Sequence, residues 1–103
     1  LNPDDPGIAD TLGWAYVQKG NIDKALPELE AAAKQLSLDP VVMYHLGAAH
    51  ALNNDHERAH GALHKALQLS KDFPGAKEAT QLLKQAQEDS SSLSNVNTPM
   101  PGK

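Results

Sequence analysis

Three histidines in the second half of the chain have the residue type and the spacing of a candidate metal site. His56, His60 and His64 lie four residues apart, so in a helix they would share one side. Histidine pairs at this spacing can bind zinc or nickel. The chain contains no cysteine, however, and no carboxylate obviously completes a set of four ligands. We therefore expect structural or surface histidines and predict neither a metal site nor a cofactor.

The chain also lacks the patterns that carry catalysis. It has no nucleophile motif, no glycine-rich phosphate loop and no pair of carboxylates in a plausible pocket. The acidic residues Glu28 and Glu30 fit a solvated helix face, and Asp4 and Asp5 fit a turn. The sequence therefore predicts a protein that is not an enzyme.

Composition limits both the fold and the partners. Of the 103 residues 40% are hydrophobic but only 4% are aromatic, which favours alanine-rich packed helices over a sheet. The net charge of -4 argues against nucleic acid and anionic lipid as partners. No apolar run approaches the roughly 20 residues of a membrane span, so we expect no membrane insertion. The absence of cysteine fits the cytoplasm, but a periplasmic location stays open, because a targeting segment could have preceded Leu1.

The strongest pattern in the chain is a repeat of 34 residues. Pro6, Pro40 and Pro74 are separated by this interval. The same shift relates further identical residues: Leu12 to Leu46, Gly13 to Gly47, Ala25 to Ala59, Leu29 to Leu63 and Ala32 to Ala66. So many coincidences at one offset indicate an internal repeat, which is typical of solenoid proteins.

Each repeat unit predicts two helices joined by a short turn. In unit one the first helix begins at Pro6, where the missing amide hydrogen costs little, and it is broken by Gly20. Asn21 is expected to cap the second helix, in which Ala25 and Leu29 begin an apolar stripe at helical spacing. Two such hairpins would bury their apolar faces against each other.

These residues resemble the tetratricopeptide repeat, whose pattern is W-x2-L-G-x2-Y, then A-x3-F and a proline. Unit one matches as Ala9-x2-Leu12-Gly13-x2-Tyr16 followed by Ala25-x3-Leu29, and unit two as Met43-x2-Leu46-Gly47-x2-His50 followed by Ala59-x3-Leu63. Ala9 and Met43 depart from the family's tryptophan, and His50 departs from its tyrosine. The resemblance covers residues 1–69. It implies an all-α, right-handed α-solenoid of two helix-turn-helix repeats with a C-terminal capping helix.

The period also sets the expected boundaries. Residues 1–5 match residues 69–73 at Leu1 and Asp4, which suggests the end of a preceding repeat. Repeat 1 is then 6–39, repeat 2 is 40–73, and 74–88 is a capping helix with a polar outer face. Residues 89–103 are rich in Ser, Asn and Pro and are predicted to be a disordered tail. We therefore expect the C-terminal portion of a longer array.

The resemblance further implies that a partner segment binds along a concave face formed by the first helix of each repeat. The positions that it assigns to this face, and that we predict to contact a partner, are Asp10, Trp14, Val17, Tyr44, Ala48 and Ala51. It assigns Ile8, Leu12, Ala15 and Tyr16 to the core instead. Trp14 is expected beside Tyr44, either as an exposed anchor or as packing between repeats.

The expected partner is a protein or peptide. Some members of the family hold a partner's C-terminal carboxylate with Lys and Asn, but Asp10 and Trp14 occupy those positions here. Since an acidic residue repels a carboxylate, an apolar or partly basic segment fits better. The alternative is self-association into a homo-oligomer within a larger assembly, for which the apolar Val41 and Leu52 would serve equally well.

One histidine is expected to respond to pH. His50 replaces the tyrosine of the pattern at a predicted helix–helix contact. Protonation would place a charge at that contact, so we expect it to loosen unit two.

Overall fold

The computed structural model describes residues 5–97, with side chains described as far as residue 88. Within this range the chain forms five helices and no strand: α1 (Pro6–Gln18), α2 (Ile22–Gln35), α3 (Pro40–Leu52), α4 (His56–Leu69) and α5 (Ala76–Asn97). The prediction of an all-α fold is confirmed, and the arrangement is that of a helical-repeat solenoid. The segment 1–5 that was assigned to a preceding repeat lies outside the described residues except for Asp5.

The 34-residue period is visible in the helix boundaries and in their caps. Shifting α1 by this interval gives α3, and shifting α2 gives α4, end for end. Both first helices begin at a proline and are capped by an aspartate. The Asp5 side chain accepts hydrogen bonds from the amides of Gly7 and Ile8, and Asp39 caps α3 in the same way. The two first helices therefore begin in the same way.

A glycine in each first helix allows the hairpin to close. A Cβ atom at Gly13 would lie 2.6 Å from Cγ of Leu29, and one at Gly47 would lie 2.6 Å from Cγ of Leu63. Both leucines are fully buried. The Leu-Gly pair of each repeat thus marks the point where the two helices of a hairpin come closest.

The helices are arranged in two unequal rows. One row consists of α1, α3 and α5, the first helices of the successive units. Helix α1 contacts α3, and α3 contacts α5. The second helices α2 and α4 each contact the first helices on either side, but within the described residues they do not contact one another. We call the row of α2 and α4 splayed, because over the described range its helices do not contact one another. The helices α1, α3 and α5 do contact their neighbours in the row, so they form the inner, concave side of the solenoid.

The core of α1 differs from the prediction. Ala9, Gly13 and Val17 are its buried residues, whereas Ile8 and Leu12 are 40% and 41% exposed. Ala15 is also exposed, and Tyr16 is half-buried. The assignment of Ile8, Leu12 and Ala15 to the core was therefore wrong. The reason is that no described helix covers that side of α1.

The last helix is longer than the predicted capping helix. It was expected at 74–88 and followed by a disordered tail at 89–103, but α5 begins at Ala76 and continues to Asn97. No proline or glycine interrupts this stretch. The first one beyond it is Pro99, and a proline disfavours helical geometry in the residue before it. Residues 98–103 lie outside the described residues.

Candidate functional site

A cluster of aromatic rings joins α1 to α3 on the concave side. The indole of Trp14 stacks on the imidazole of His45, with ring centroids 4.1 Å apart and planes inclined by 15°. The phenol ring of Tyr44 lies 5.4 Å from the indole in a tilted arrangement. Such contacts add about 0.5–1.5 kcal/mol beyond the area that they bury. The expected proximity of Trp14 and Tyr44 is confirmed, and since Trp14 is only half-buried it both packs between repeats and borders the surface.

Asp10 orients the histidine of this cluster. Its Oδ1 atom lies 2.8 Å from Nδ1 of His45, and both side chains are largely buried. An ionised carboxylate can only accept, so the Nδ1 hydrogen of His45 donates to Asp10. Asp10 was expected to contact a partner on the concave face. The structure uses it within the protein, where it fixes the ring on which Trp14 stacks.

Tyr44 is held rigidly between α1 and α5. A Cβ atom at Gly75, which has a φ of +102°, would lie 2.5 Å from Cε2 of Tyr44, so the ring rests directly on the backbone at the start of α5. The ring of Phe73 packs against it at 6.2 Å. Burial, together with the neighbouring carboxylate of Glu78, raises the pKa of the Tyr44 hydroxyl above its usual value. The hydroxyl is therefore a neutral group at physiological pH.

The other predicted contact residues are less accessible. Val17 is buried with Leu29 and Ala49 in the core between the first three helices, so its assignment to an open groove was wrong. Ala48 is 5% exposed and Ala51 is half-buried. Small side chains at these positions allow the first helices to approach closely. These two alanines determine the shape of the concave surface and do not provide an anchoring side chain.

A groove between α3 and α5 was not predicted from the sequence. This α3–α5 groove is open, has a volume of about 550 Å³ and is lined by Tyr44, Glu78, Gln81, Leu82, Lys84, Gln85 and Glu88. The signal that could have found it is the period itself. A shift of 34 takes Tyr44 to Glu78, Ala48 to Leu82 and Ala51 to Gln85. The lack of a Leu-Gly pair in the third unit concealed this match.

The histidines that suggested metal binding lie apart from the concave side. The rings of His60 and His64 stack at 5.8 Å, and Nε2 of His60 lies 3.2 Å from the amide nitrogen of Gln87. His64 is exposed. Among the described residues, no group of three or more His, Cys, Asp or Glu side chains is placed to hold a metal ion. None of the described helices is long and apolar enough to cross a membrane.

His50 occupies the helix–helix contact that the sequence predicted. It is 6% exposed, and its Nδ1 atom has no hydrogen-bond partner in the described part of the chain. Burial lowers the pKa of its imidazole, and Arg58 lowers it further, while Asp55 and Glu30 raise it in part. The folded chain therefore favours the neutral form of this side chain.

Comparison with known proteins gives a limited similarity. No profile of a known protein family matches the chain. Over 77 residues, which are 75% of this chain, it is 35% identical to the peroxisomal targeting signal receptor of Saccharomyces cerevisiae. The match covers 13% of that receptor, so the chain spans only a small part of this relative's length. The relative is by name a receptor and not an enzyme, and together with the helical-repeat fold the similarity indicates protein–protein interaction.

Proposed function

We propose that this chain is a tetratricopeptide-repeat module that binds a segment of a partner protein along its concave side. The proposal rests above all on the ring cluster of Trp14, His45 and Tyr44, which lies where the first helices meet. Trp and Tyr are the residues that most often anchor protein interfaces. A half-buried indole that is already held by stacking loses little conformational freedom when a partner covers it.

The concave surface extends from this cluster into the α3–α5 groove. Tyr44 belongs to both, because it contacts Trp14 on one side and lines the groove on the other. A partner segment lying across the first helices would thus meet the Trp14 indole, the edge of Tyr44, and then Leu82 and the amides of α5. Val17 and Ala48 are buried, so they would not contact the partner directly. Asp10 acts indirectly, by orienting His45.

Site-specific photo-crosslinking tests this placement. A benzophenone side chain would be introduced at Gln81, which is exposed in the groove, and separately at Ala31, which is exposed on α2 of the splayed row. We expect the Gln81 position to crosslink a protein that mass spectrometry identifies, and the Ala31 position to give none. If the Ala31 position crosslinks a protein and the Gln81 position does not, the binding surface lies on the convex side.

Substitution then separates the anchor from general surface effects. Trp14→Ala should weaken binding of the crosslinked partner by about tenfold or more, as removal of an interface anchor does. Leu38→Ala is the matched control, because Leu38 is 76% exposed and lies in the loop before α3. Circular dichroism confirms that both variants are folded. Equal binding by the two variants would leave Trp14 as packing between repeats only.

Self-association is a second candidate, and a specific observation favours it. Ile8, Leu12 and Ala15 form an exposed apolar stripe on α1, beside an open depression that they line together with Thr11. Apolar patches of this kind mark contact surfaces. If copies of the chain associate here, the mass measured by light scattering should rise with concentration and Leu12→Glu should return it to that of a monomer. A constant monomer mass would remove this candidate.

A further inference from the structure

The polar groups of the α3–α5 groove are dominated by oxygen atoms. Its charged residues are two glutamates and one lysine. Lys84 and Glu88 are one helical turn apart on α5, where residues of opposite charge balance each other. That leaves the Glu78 carboxylate as the net charge at the Tyr44 end of the groove. Gln81 and Gln85 add two side-chain carbonyl oxygens on the same face.

Tyr44 adds a hydroxyl at a fixed position in this groove. It is 8% exposed and lines the groove, yet within the described residues its hydroxyl makes no hydrogen bond. The hydroxyl oxygen is not one of the fully buried atoms that lack a partner, so it faces the open groove. The ring is fixed by Gly75, Phe73 and Trp14, so the hydroxyl cannot turn away to find one. The hydroxyl therefore has a fixed position on the groove wall, where a group that enters the groove can donate a hydrogen bond to it.

We infer that the α3–α5 groove binds a lysine or arginine side chain carried by an otherwise apolar partner segment, an inference that rests on the proposed function and names the chemistry of the partner. The cationic head would donate hydrogen bonds to the carboxylate of Glu78, to the hydroxyl oxygen of Tyr44 and to the carbonyl oxygens of Gln81 and Gln85. The aliphatic stem would lie along Leu82. A long cationic side chain combines an apolar stem with a polar head in this way.

Other partner chemistries fit the groove less well. An anionic side chain would face two carboxylates and find one ammonium group. A purely apolar side chain would cover the Glu78 carboxylate and the Tyr44 hydroxyl without replacing their contacts with water, which is costly. A cation satisfies both groups at once, and hydrogen bonds to charged groups are the strong ones.

Three capped peptides test the inference against the intact chain. The first is acetyl-Ala-Ala-Leu-Arg-Leu-Ala-Ala-amide, and the other two carry citrulline or glutamate in place of arginine. Citrulline has nearly the shape of arginine without its charge. Binding is followed by NMR through the side-chain amide signals of Gln81 and Gln85. We expect the arginine peptide to shift these signals and to bind about tenfold more tightly than either control.

A pair of variants identifies the carboxylate responsible. Glu78→Gln should weaken binding of the arginine peptide by about tenfold. Glu78 also lies in the first turn of α5, where a negative charge favours the helix. Glu57→Gln is therefore the matched control, because Glu57 is an exposed acid in the first turn of α4 and lies outside the groove. It should leave binding unchanged.

The outcomes separate this inference from the function on which it rests. Equal affinity for the arginine and citrulline peptides, or no effect of Glu78→Gln, would overturn the inference. So would a failure of the arginine peptide to shift the Gln81 and Gln85 signals. If the Gln81 crosslinker still captures a partner in any of these cases, the concave site stands and only its preference for a cation is wrong. If that capture fails as well, the proposed function fails with it.

Discussion

Helices α1 and α3 are built alike and buried differently. Each begins at a proline after a capping aspartate, and each carries a glycine beneath a buried leucine. Yet α3 has seven buried residues and α1 has three. The difference follows from their neighbours, because among the described helices α3 contacts all four others whereas α1 contacts only α2 and α3.

Equivalent positions show what this difference means. Val42 is 2% exposed and packs with Ala32 and Ala33 of α2, while Ile8, its equivalent one repeat earlier, is 40% exposed. The two residues have similar apolar character and the same place in the pattern. Burial in a repeat protein is therefore a property of the interface between units and not of the unit alone. Matched substitutions in the two repeats can test this directly.

The largest expected effect concerns the leucines that the two repeats bury to the same extent. Leu29 and Leu63 are both fully buried beneath their glycines. Leu63→Ala and Leu29→Ala should each lower the free energy of unfolding by about 3 kcal/mol, because each removes apolar contacts and leaves a cavity. Urea unfolding followed by circular dichroism measures the loss. A much smaller loss for Leu29→Ala would mean that the first hairpin is already loosened in the native state.

The next prediction addresses the positions that the repeats bury unequally. Val42→Ala should cost about 2 kcal/mol, since it removes buried methyl groups at the contact between α2 and α3. Ile8→Ala should change the free energy of unfolding by less than about 0.5 kcal/mol, as is usual for exposed positions. The same unfolding experiment measures both variants. Equal losses would show that the α1 side is covered in solution, for example by a second copy of the chain.

These pairs also show what the sequence could predict. The period, the helix ends and the repeated Leu-Gly pairs were all visible in identical residues at one spacing, because hairpin geometry is local and repeats with its sequence. The burial of Ile8 and Leu12 was predicted wrongly because the pattern describes a helix with a neighbour on both sides. Nothing in the residues of α1 itself reveals whether that neighbour is present.

The candidate site was predictable only in part, for the same reason. The pairing of Trp14 with Tyr44 was implied by the resemblance to the tetratricopeptide repeat, in whose geometry these two positions are neighbours. The stacking of His45 on Trp14 and its hydrogen bond to Asp10 depend on the angle between α1 and α3, which the pattern does not specify. The groove residues of α5 were missed because its polar surface was interpreted as a cap. A polar helix face can be solvated or can be a binding surface, and composition does not distinguish the two.

A pH titration compares the two repeats at another equivalent position, Tyr16 in the first and His50 in the second. Burial lowers the pKa of His50 in the folded chain, so the unfolded chain binds the proton more readily. The contribution of neutral His50 to the free energy of unfolding should therefore be fully present above the unfolded pKa of about 6.5. It should be lost progressively as the pH falls below that value.

Substitution isolates the contribution of His50 from that of the other histidines. In His50→Phe this component of the pH dependence should disappear, because phenylalanine cannot be protonated. In His64→Gln it should persist, because His64 is exposed. Melting temperatures measured between pH 5 and pH 8 give the comparison, with the range chosen to bracket the usual titration of histidine. An unchanged pH profile in His50→Phe would assign the effect to another group.

The smallest expected effect concerns the residue that follows each first helix. Gly20 has a φ of +78° and its equivalent Asn54 a φ of +60°, and both follow the C-cap of their helix. Asparagine tolerates this left-handed geometry better than other residues with a side chain, so Gly20→Asn and Asn54→Gly should each change stability by less than about 0.5 kcal/mol. Gly20→Ala should cost about 1 kcal/mol, although a Cβ atom there meets no other atom within 4 Å. The cost then comes from backbone conformation alone. Denaturation midpoints of the three variants measure these differences, and a loss for Gly20→Asn as large as that for Gly20→Ala would show that the two turns are not interchangeable.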